Sequence, residues 1–528
     1  MTNRISVARL RDFLDLALAN ERELAVLDVR EAGQYAAGHL FFATHVPYSR
    51  LEVEILGFVP RFGTHIVIYD AANGVAEKAA SALIELGYTN VGVLDGGAPA
   101  WEKEGYTLYE GVNLPSKTFG ELVEHELNTP RLDPYELAKM IERGEDFVIL
   151  DGRTPEEYRQ FNIPGGISCP NAELSLRFDS LVSNQETTVV INCAGRTRSI
   201  IGAQTLINFG VKNKIFALQN GTQGWVLSNQ DLEYGADRYP TENNGKMAFR
   251  EAQKRAELVS QRFAVKFVDR ETLAEWRVDN ERTLFLLDVR GKDEYRSGHL
   301  AGSQHAPGGQ LVQATDRWVG VRGARVVICD DTEVRAISTA HWLKQMGWDV
   351  YVLQGGIGDS GLDKDSLRQP ECLVPTIDAL SLLKLVADDA VFILDLRTSG
   401  AFQVEHIHGA EWTVRPNLET LLIPENKEVV LVADDWGAAG LVAKDLTARQ
   451  IDRVRLLDGG MSAWRGVGGN IVASRSDMAA SARIDFVAFT AERHGGNKDH
   501  MRQYLEWEIN LINQLDDQER SVFKVMAP

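Results

Sequence analysis

The 528-residue chain repeats one sequence pattern four times. The segment LAVLDVREAGQYAAGHL, which begins at Leu24, returns as LFLLDVRGKDEYRSGHL, which begins at Leu284. Looser copies, FVILDGRTPEEYRQFNI and FILDLRTSGAFQVEHIHGA, begin at Phe147 and Phe392. Self-similarity along a chain indicates repeated structural units, and this length is too great for one ordinary core. The sequence therefore predicts four tandem domains that share one fold.

The order of segments within each repeat predicts what that fold is. A second apolar run reads HIVIYD, TVVINC, RVVICD and VVLVAD in turn, and closing segments such as VLDGGAPAW and LLDGGMSAW follow. Short continuous Val/Ile/Leu runs that alternate with longer helix-like segments are typical of a parallel sheet covered on both faces. In the second repeat, Thr154, Pro155 and Glu157 have the spacing of an N-cap, a proline at N1 and a capping-box glutamate. We predict an α/β fold of four doubly wound domains, each with a central parallel sheet flanked by helices.

The segments between repeats predict the domain boundaries. We call the domains units one to four and place them at 1–110, 129–235, 264–362 and 373–474. A helical linker is predicted at 236–263 and a C-terminal helical tail at 483–528. The long linker after unit two predicts two pairs, one with two and three with four. A docking helix without assigned chemistry is predicted in the tail from apolar residues near helical spacing: Met501, Tyr504, Leu505, Ile512 and Leu515.

Composition excludes several classes of function. A formal net charge of −19 argues against nucleic acid or an anionic membrane as the main partner. The four cysteines fit neither a disulfide framework nor a CxxC metal pattern, so a reducing, cytoplasmic location is expected. The first residues lack the unbroken apolar core of a signal peptide, and no uncharged run is long enough for a membrane helix. No nucleotide-binding or metal-binding motif is evident, so no cofactor and no metal are expected.

The four units differ at the corner where the second apolar run ends. Unit two has Cys193 there, whereas the other units are predicted to have Asp70, Asp330 and Asp434. Ligands of α/β sheets bind at the carboxyl ends of strands, where the next helix presents free N–H groups. An aspartate cannot act as a sulfur nucleophile. At most one unit therefore carries out thiol chemistry.

The residues after Cys193 favour a reactive thiol. The sequence AGRTRS places Gly195, Arg196 and Arg198 within one turn, at the predicted start of a helix. A helix N-terminus and nearby guanidinium groups both stabilise a thiolate. Successive N–H groups in such a turn form an anion-binding nest, which suits a persulfide, and the glycine allows close approach to the backbone. The two arginines have the geometry to hold an oxyanionic donor through forked hydrogen bonds.

These motifs resemble those of the rhodanese family, the thiosulfate sulfurtransferases. The DVRxxxEYxxGH and LDGGxxAW segments resemble the family's first and closing signatures, and Cys193 and Arg198 enclose four residues as in its active loop. The resemblance implies four rhodanese-like domains, of which only unit two is catalytic. It also implies that the cysteine takes the outer sulfur of a donor and passes it from a persulfide to a thiophilic acceptor, such as cyanide or a thiol. By the same resemblance Cys193 and Arg198 are the catalytic residues, and the substrate-binding residues are Ala194, Gly195, Arg196, Thr197 and Ser199.

The sequence departs from the family pattern in ways that leave the donor open. Gly195 stands one position earlier than the loop glycine of single-domain members, and unit two lacks the GH of the first signature. Thiosulfate, 3-mercaptopyruvate and a persulfide are the alternative donors. A non-enzymatic persulfide relay or scaffold is the alternative function. A phosphatase or an arsenate reductase is disfavoured, because the active loop of such enzymes needs five residues between cysteine and arginine, and here Cys193 and Arg198 enclose four. Units three and four are left to stabilise the chain, to form a homodimer or to recruit a partner.

Structural rather than catalytic roles are expected for most of the remaining polar and cysteine residues. Asp151 and Arg153 recur in all four units, which favours a structural ion pair. The corner aspartates are expected to accept hydrogen bonds from their own loop N–H groups. Cys169 is expected to pack rather than to act as a resolving thiol, Cys329 to point into the core, and Cys372 to be incidental in a linker. By the family resemblance, unit one is expected to form a wall of unit two's site.

Overall fold

Four parallel sheets confirm the predicted fold class. The computed structural model describes residues 3–240, 245–358, 362–363, 374–474, 482–487 and 496–527. Each unit contains one five-stranded sheet, and the strand order, numbered along the chain within the sheet, is 1-5-4-2-3 in all four. Every pair of neighbouring strands that forms these sheets is parallel. The carboxyl ends of the strands therefore lie along one edge of each sheet, where the corner residues are.

The first two units have the same sequence of elements. The sheet strands of unit one are Asn3–Ile5, Ala25–Asp28, Thr44–His45, Ile66–Tyr69 and Val91–Leu94, and its helices are Val7–Leu18, Ala32–Ala37, Leu51–Phe58, Val75–Glu85 and Gly97–Lys103. A further helix, Leu114–Leu127, which we call the first connecting helix, leads to unit two. The sheet strands of unit two are Arg131–Leu132, Phe147–Asp151, Ile167–Ser168, Thr188–Asn192 and Ile215–Leu218, and its helices are Pro134–Arg143, Pro155–Gln160, Asn171–Leu181, Thr197–Asn208 and Gly221–Leu227.

The second half of the chain repeats the arrangement after the helix Gly245–Arg262. Unit three has sheet strands Lys266–Val268, Leu284–Asp288, Gln304–His305, Arg325–Cys329 and Asp349–Leu353, helices Arg270–Val278, Lys292–Ser297, Gly308–Gln313 and Val334–Gln345, a 3-10 helix Thr315–Arg317, and a small ribbon of His299–Leu300 with Leu362–Asp363. Unit four has sheet strands Thr376–Ile377, Val391–Asp395, Glu411–Trp412, Glu428–Val432 and Val454–Leu457, helices Ala379–Ala387, Ser399–Val404, Trp436–Ala448 and Gly460–Gly466, a 3-10 helix Arg415–Thr420, and a ribbon of His406–Ile407 with Ile471–Val472. The tail contains the helix Lys498–Asn510, which we call the C-terminal helix, and then a 3-10 helix Leu511–Asn513 and a helix Asp517–Ser521.

A buried ion pair recurs at the end of the second strand of every sheet. In unit two, Nε and Nη2 of Arg153 donate to the carboxylate of Asp151 at 2.9 and 2.7 Å, and Nη2 also donates to the carbonyl of Phe161 at 2.6 Å. The pair ties the strand to the far end of the following short helix. The equivalent pairs are Asp28 with Arg30, Asp288 with Arg290, and Asp395 with Arg397. The structural role predicted for this repeated pair is confirmed.

The packing between units differs from the predicted pairing of one with two and three with four. Units one and four are joined by Arg415, whose guanidinium donates to both carboxylate oxygens of Glu52 at 2.6 and 2.9 Å. Units two and three are joined in the core, where Trp342 Nε1 donates to Thr205 Oγ1 at 2.8 Å. Connection length limits how far consecutive units can separate, but the complementarity of their faces decides which of them pack. No helix of the described ranges is long and apolar enough to cross a membrane.

Candidate functional site

The ladder between the second and fourth strands identifies the equivalent corner residues. The repeated aspartate of each second strand faces the last residue of the fourth strand: Tyr69, Asn192, Cys329 and Val432 in units one to four. The corner residues that follow are therefore Asp70, Cys193, Asp330 and Ala433. The prediction that Asp434 occupies the corner of unit four is wrong, because the backbone pairing, not the apolar run, sets the register and Asp434 lies one residue later.

The corners of units one and three show which groups face this position. The carboxylate of Asp70 accepts from the N–H groups of Ala72 and Ala76 at 2.8 and 3.0 Å. The carboxylate of Asp330 accepts from the N–H of Arg335 at 3.2 Å and from the Thr332 hydroxyl at 2.8 Å. The predicted hydrogen bonds of these two aspartates to their own loops are confirmed. A negatively charged group at this corner thus meets main-chain donors.

Cys193 is buried between its strand and the helix Thr197–Asn208, with 2% of its surface exposed. Its thiol donates to Oγ of Ser199 at 3.4 Å, and that hydroxyl donates to the carbonyl of Arg196 at 2.8 Å. The sulfur therefore faces the first turn of the helix. The low exposure means that a donor molecule cannot contact the sulfur unless the groups that cover it move.

The closing segment of unit two, LQNGTQGW at 218–225, donates hydrogen bonds to the loop 193–199. The N–H of Thr222 donates to the carbonyl of Cys193 at 2.8 Å, and the N–H of Gln223 donates to the carbonyl of Ala194 at 3.2 Å. Gly221 has a φ of +53°, and a Cβ at this position would lie 2.2 Å from the carbonyl oxygen of Cys193. Both the positive φ and the close approach require glycine.

Arg198 anchors the loop to the helix Pro155–Gln160 of unit two. Its Nη1 and Nη2 donate to the two carboxylate oxygens of Glu157 at 2.6 and 2.8 Å. Burial opposes ionisation of Glu157, but the guanidinium more than offsets it and lowers the pKa of Glu157 to about 2. Arg335 and Glu294 form the same bidentate pair in unit three, which has no cysteine at its corner. The forked hydrogen bonds that were expected to hold a donor are thus made within the protein.

Arg196 is also paired, and its carboxylate partners lie outside unit two. Its Nε and Nη2 donate to the two carboxylate oxygens of Glu121, each at 2.7 Å, and Nη2 also contacts Glu124. Both glutamates lie on the first connecting helix. Burial raises the pKa of Glu121 to about 7, assisted by the carboxylates of Glu508 and Glu124 and opposed by the guanidinium of Arg196. Arg196 therefore neither contacts solvent as a surface ion pair nor presents an unpaired fork to a donor.

The C-terminal helix covers the loop from the other side. The hydroxyl of Thr197 donates to Oε1 of Glu508 at 2.6 Å, and Nζ of Lys117 on the first connecting helix lies 3.4 Å from the same oxygen. A Cβ on Gly195 would lie 3.3 Å from Oε2 of Glu508 and 3.4 Å from the ring of Tyr504. Gly195 thus admits the C-terminal helix close to the loop. The wall expected from unit one is made instead by the first connecting helix and the C-terminal helix.

An open crevice lies elsewhere, at the corner of unit three. Its volume is about 1000 Å³, and residues of both unit two and unit three line it, among them Thr154, Arg177, Glu294 and Arg335. Cys193 does not line this crevice. This crevice between units therefore opens at a corner without a thiol, whereas Cys193 is almost fully buried.

Two other cysteines are packed in cores, as expected. Cys169 and Cys329 are fully buried, and burial raises the pKa of each thiol. Cys372 lies outside the described residues. Among the residues that the structure describes, no group of three or more His, Cys, Asp or Glu side chains could hold a metal ion.

Several residues at the loop carried no recognisable signal in the sequence. Lys117, Glu121 and Glu124 lie in the segment between predicted units, and Glu508 lies in a helix to which no chemistry was assigned. Gln223 is part of the closing signature, and neither atom of its buried side-chain amide has a hydrogen-bond partner among the described residues. Glu157 had a signal, as the capping-box glutamate, but that signal concerned its own helix.

The fold and the corner define a protein built from four rhodanese-like units. The family model of the rhodanese-like domain matches residues 12–104, 133–228, 270–359 and 378–466, and the chain belongs to this family. The chain is similar to a crystal structure described as thiosulfate sulfurtransferase from Pseudomonas aeruginosa, with 40% identity, 99% of each chain covered and a TM-score of 0.88. It is also 27% identical over 139 residues to YrkF of Bacillus subtilis, which is described as a candidate sulfur carrier protein. That alignment covers 24% of this chain and 71% of YrkF.

Proposed function

We propose that the protein is a sulfurtransferase in which Cys193 carries sulfur as a persulfide. The donor is thiosulfate or a related sulfur compound, and the acceptor is cyanide or a thiol. The observation that carries the proposal is the corner itself. At the equivalent position, units one and three have carboxylates that accept hydrogen bonds from their loops, and unit two has a thiol. A persulfide anion of Cys193 would take the place of those carboxylates.

The reaction has two balanced steps. The thiolate of Cys193 attacks the outer sulfur of thiosulfate, a sulfur–sulfur bond forms, and the sulfur–sulfur bond of the donor breaks to release sulfite. The terminal sulfur of the persulfide is then attacked by cyanide, which leaves as thiocyanate and returns the thiolate. No electron source and no cofactor are needed, because each step exchanges one bond to the transferred sulfur for another.

The roles of the loop residues follow from their contacts. The Ser199 hydroxyl lies 3.4 Å from the sulfur and can turn its proton toward a sulfur anion. Main-chain N–H groups from Ala194 to Ser199 would share that charge. Arg198, through Glu157, holds the loop in shape rather than binding the donor. The buried amide of Gln223 is the polar group that we assign to a bound donor or acceptor.

A non-enzymatic sulfur relay is the second candidate. The observation that favours it is the low exposure of Cys193, because a covered persulfide is protected from small reagents and would be released to a partner protein. The likeness to YrkF agrees with this candidate, and the likeness to the Pseudomonas enzyme, over 99% of the chain, agrees with the first. In either case we propose a reducing, cytoplasmic setting, since the cysteines at 169, 193 and 329 are free.

The experiment is sulfur loading of the full chain. After incubation with thiosulfate, the peptide that contains Cys193 is expected to gain the mass of one sulfur atom, and cyanide is expected to remove it. Cys193→Ala should abolish the gain, and Cys169→Ala serves as the matched control. Equal thiosulfate:cyanide turnover by wild type and Cys193→Ala would refute the proposal. Loading without turnover on any small acceptor would favour the relay.

A further inference from the structure

The C-terminal helix places a buried carboxylate directly on the proposed sulfur-transfer loop. Glu508 is 1% exposed and accepts from the hydroxyl of Thr197 at 2.6 Å. Its second oxygen lies 3.3 Å from where a Cβ of Gly195 would be. A carboxylate that is buried in this way is costly to place unless it has a partner, and here the partner is the loop itself, together with Lys117.

The charges around the loop do not favour an incoming anion in this closed arrangement. Arg198 is paired with Glu157, and Arg196 with Glu121 and Glu124. With Glu508 beside Lys117, four carboxylates here face three cations, so the described charges leave no excess of positive charge for an incoming anion. A like charge in a poorly solvated site repels strongly, because the effective dielectric constant is low there.

The same helix also lies against the loop that follows Cys193, at Gly195 and Thr197. Cys193 is 2% exposed, and the residues that contact its loop from outside unit two include Glu508 and Tyr504 of the C-terminal helix. Entry of a donor therefore requires movement of this cover. Such a movement must break the hydrogen bond between Glu508 and Thr197 and the contact between Glu508 and Lys117.

We infer that the C-terminal helix is a lid over the Cys193 loop and that Glu508 is the residue that selects reagents by charge. This inference rests on the proposed function, because it treats the loop as the place where an anionic donor binds. In the closed form the carboxylate of Glu508 occupies the space beside Gly195 and Thr197 that an anionic donor needs. A donor anion and Glu508 exclude one another, so opening of the lid precedes transfer of sulfur.

The test compares the modification of Cys193 by iodoacetate, an anion, and iodoacetamide, which is neutral, in the full chain. Rates are measured at the Cys193 peptide by mass spectrometry. Glu508→Gln removes the charge and keeps the shape. It should raise the ratio of the iodoacetate rate to the iodoacetamide rate by a minimum of about fivefold, because one unit charge at about 4 Å gives that factor even in a water-like dielectric and more in a poorly solvated site. Glu506→Gln, an exposed position on the same helix, is the matched control and should leave the ratio unchanged.

A second variant keeps the inference falsifiable. Thr197→Val removes the hydroxyl but keeps the carboxylate, and should accelerate both reagents without raising the ratio. An unchanged ratio in Glu508→Gln overturns the inference, and so does equal acceleration of both reagents in that variant, because the helix would then be only a steric cover. Failure of the sulfur-loading experiment is a separate result, since alkylation reports on the lid whether or not sulfur is transferred.

Discussion

The hydroxyl of Ser199 is expected to determine how readily the sulfur of Cys193 becomes an anion. In the structure this hydroxyl accepts from the thiol at 3.4 Å and donates to the carbonyl of Arg196 at 2.8 Å. When the sulfur ionises, the hydroxyl must turn and donate to it. The carbonyl of Arg196 then keeps one partner, because the N–H of Ile200 also donates to it at 3.1 Å. Turning the hydroxyl therefore leaves no main-chain group without a hydrogen bond.

The size of the effect follows from the two states of the sulfur. A neutral hydrogen bond contributes about 0.5–1.5 kcal/mol net, and one to a charged group contributes about 1.5–3 kcal/mol. Ser199→Ala removes the hydrogen bond in both states, so the anion loses about 1–1.5 kcal/mol more stabilisation than the neutral thiol does. At about 1.4 kcal/mol per pH unit, the midpoint of the pH–rate profile of Cys193 alkylation should rise by about one pH unit.

The assay is iodoacetamide alkylation of Cys193 between pH 5 and pH 10, read at the peptide by mass spectrometry. Ser175→Ala is the matched control, because Ser175 is also buried in unit two and also donates to the carbonyl three residues before it, at 3.2 Å. Its profile should follow that of the wild type. The same midpoint in Ser199→Ala and Ser175→Ala would show that main-chain N–H groups alone stabilise the anion, and the role assigned to Ser199 would be wrong.

Two further outcomes are expected. Gly221→Ala should distort the loop and reduce sulfur loading of Cys193, because the added Cβ would lie 2.2 Å from the Cys193 carbonyl oxygen. Gly210→Ala is the control and should load normally, because Gly210 has a similar φ of +71° but no atom within 4 Å of an added Cβ. Equal loading in the two variants would contradict this account. Burial raises the pKa of Glu121 from 4.5 to about 7, so the native state holds a proton that the unfolded state releases. The resulting stabilisation of the native state is present at low pH and is lost as the pH rises toward 7. Amide-exchange protection of the loop, corrected for intrinsic rates, should therefore fall between about pH 5 and pH 8 in wild type and change less in Glu121→Gln, and identical slopes would contradict the assignment.

The sequence by itself determined the repeated fold and the position of the thiol. Strands that are buried on both faces must be continuously apolar, and the capping residues at Thr154 and Glu157 act over one turn, so both signals are local. The repeated Asp151 and Arg153 are also neighbours in sequence. Cys193 was identifiable because three other copies of its corner could be compared with it.

Strand register and tertiary packing decided the rest. The corner of unit four is Ala433, which the apolar run alone misplaced by one residue, since hydrogen bonds between strands and not hydrophobicity fix the register. Arg196 looks the same in sequence whether solvated or paired, and its partner Glu121 lies 75 residues away. Glu508 meets Thr197 across 311 residues. Hydrophobic periodicity predicts that a helix will dock, but only the fold decides on which loop it places its carboxylate.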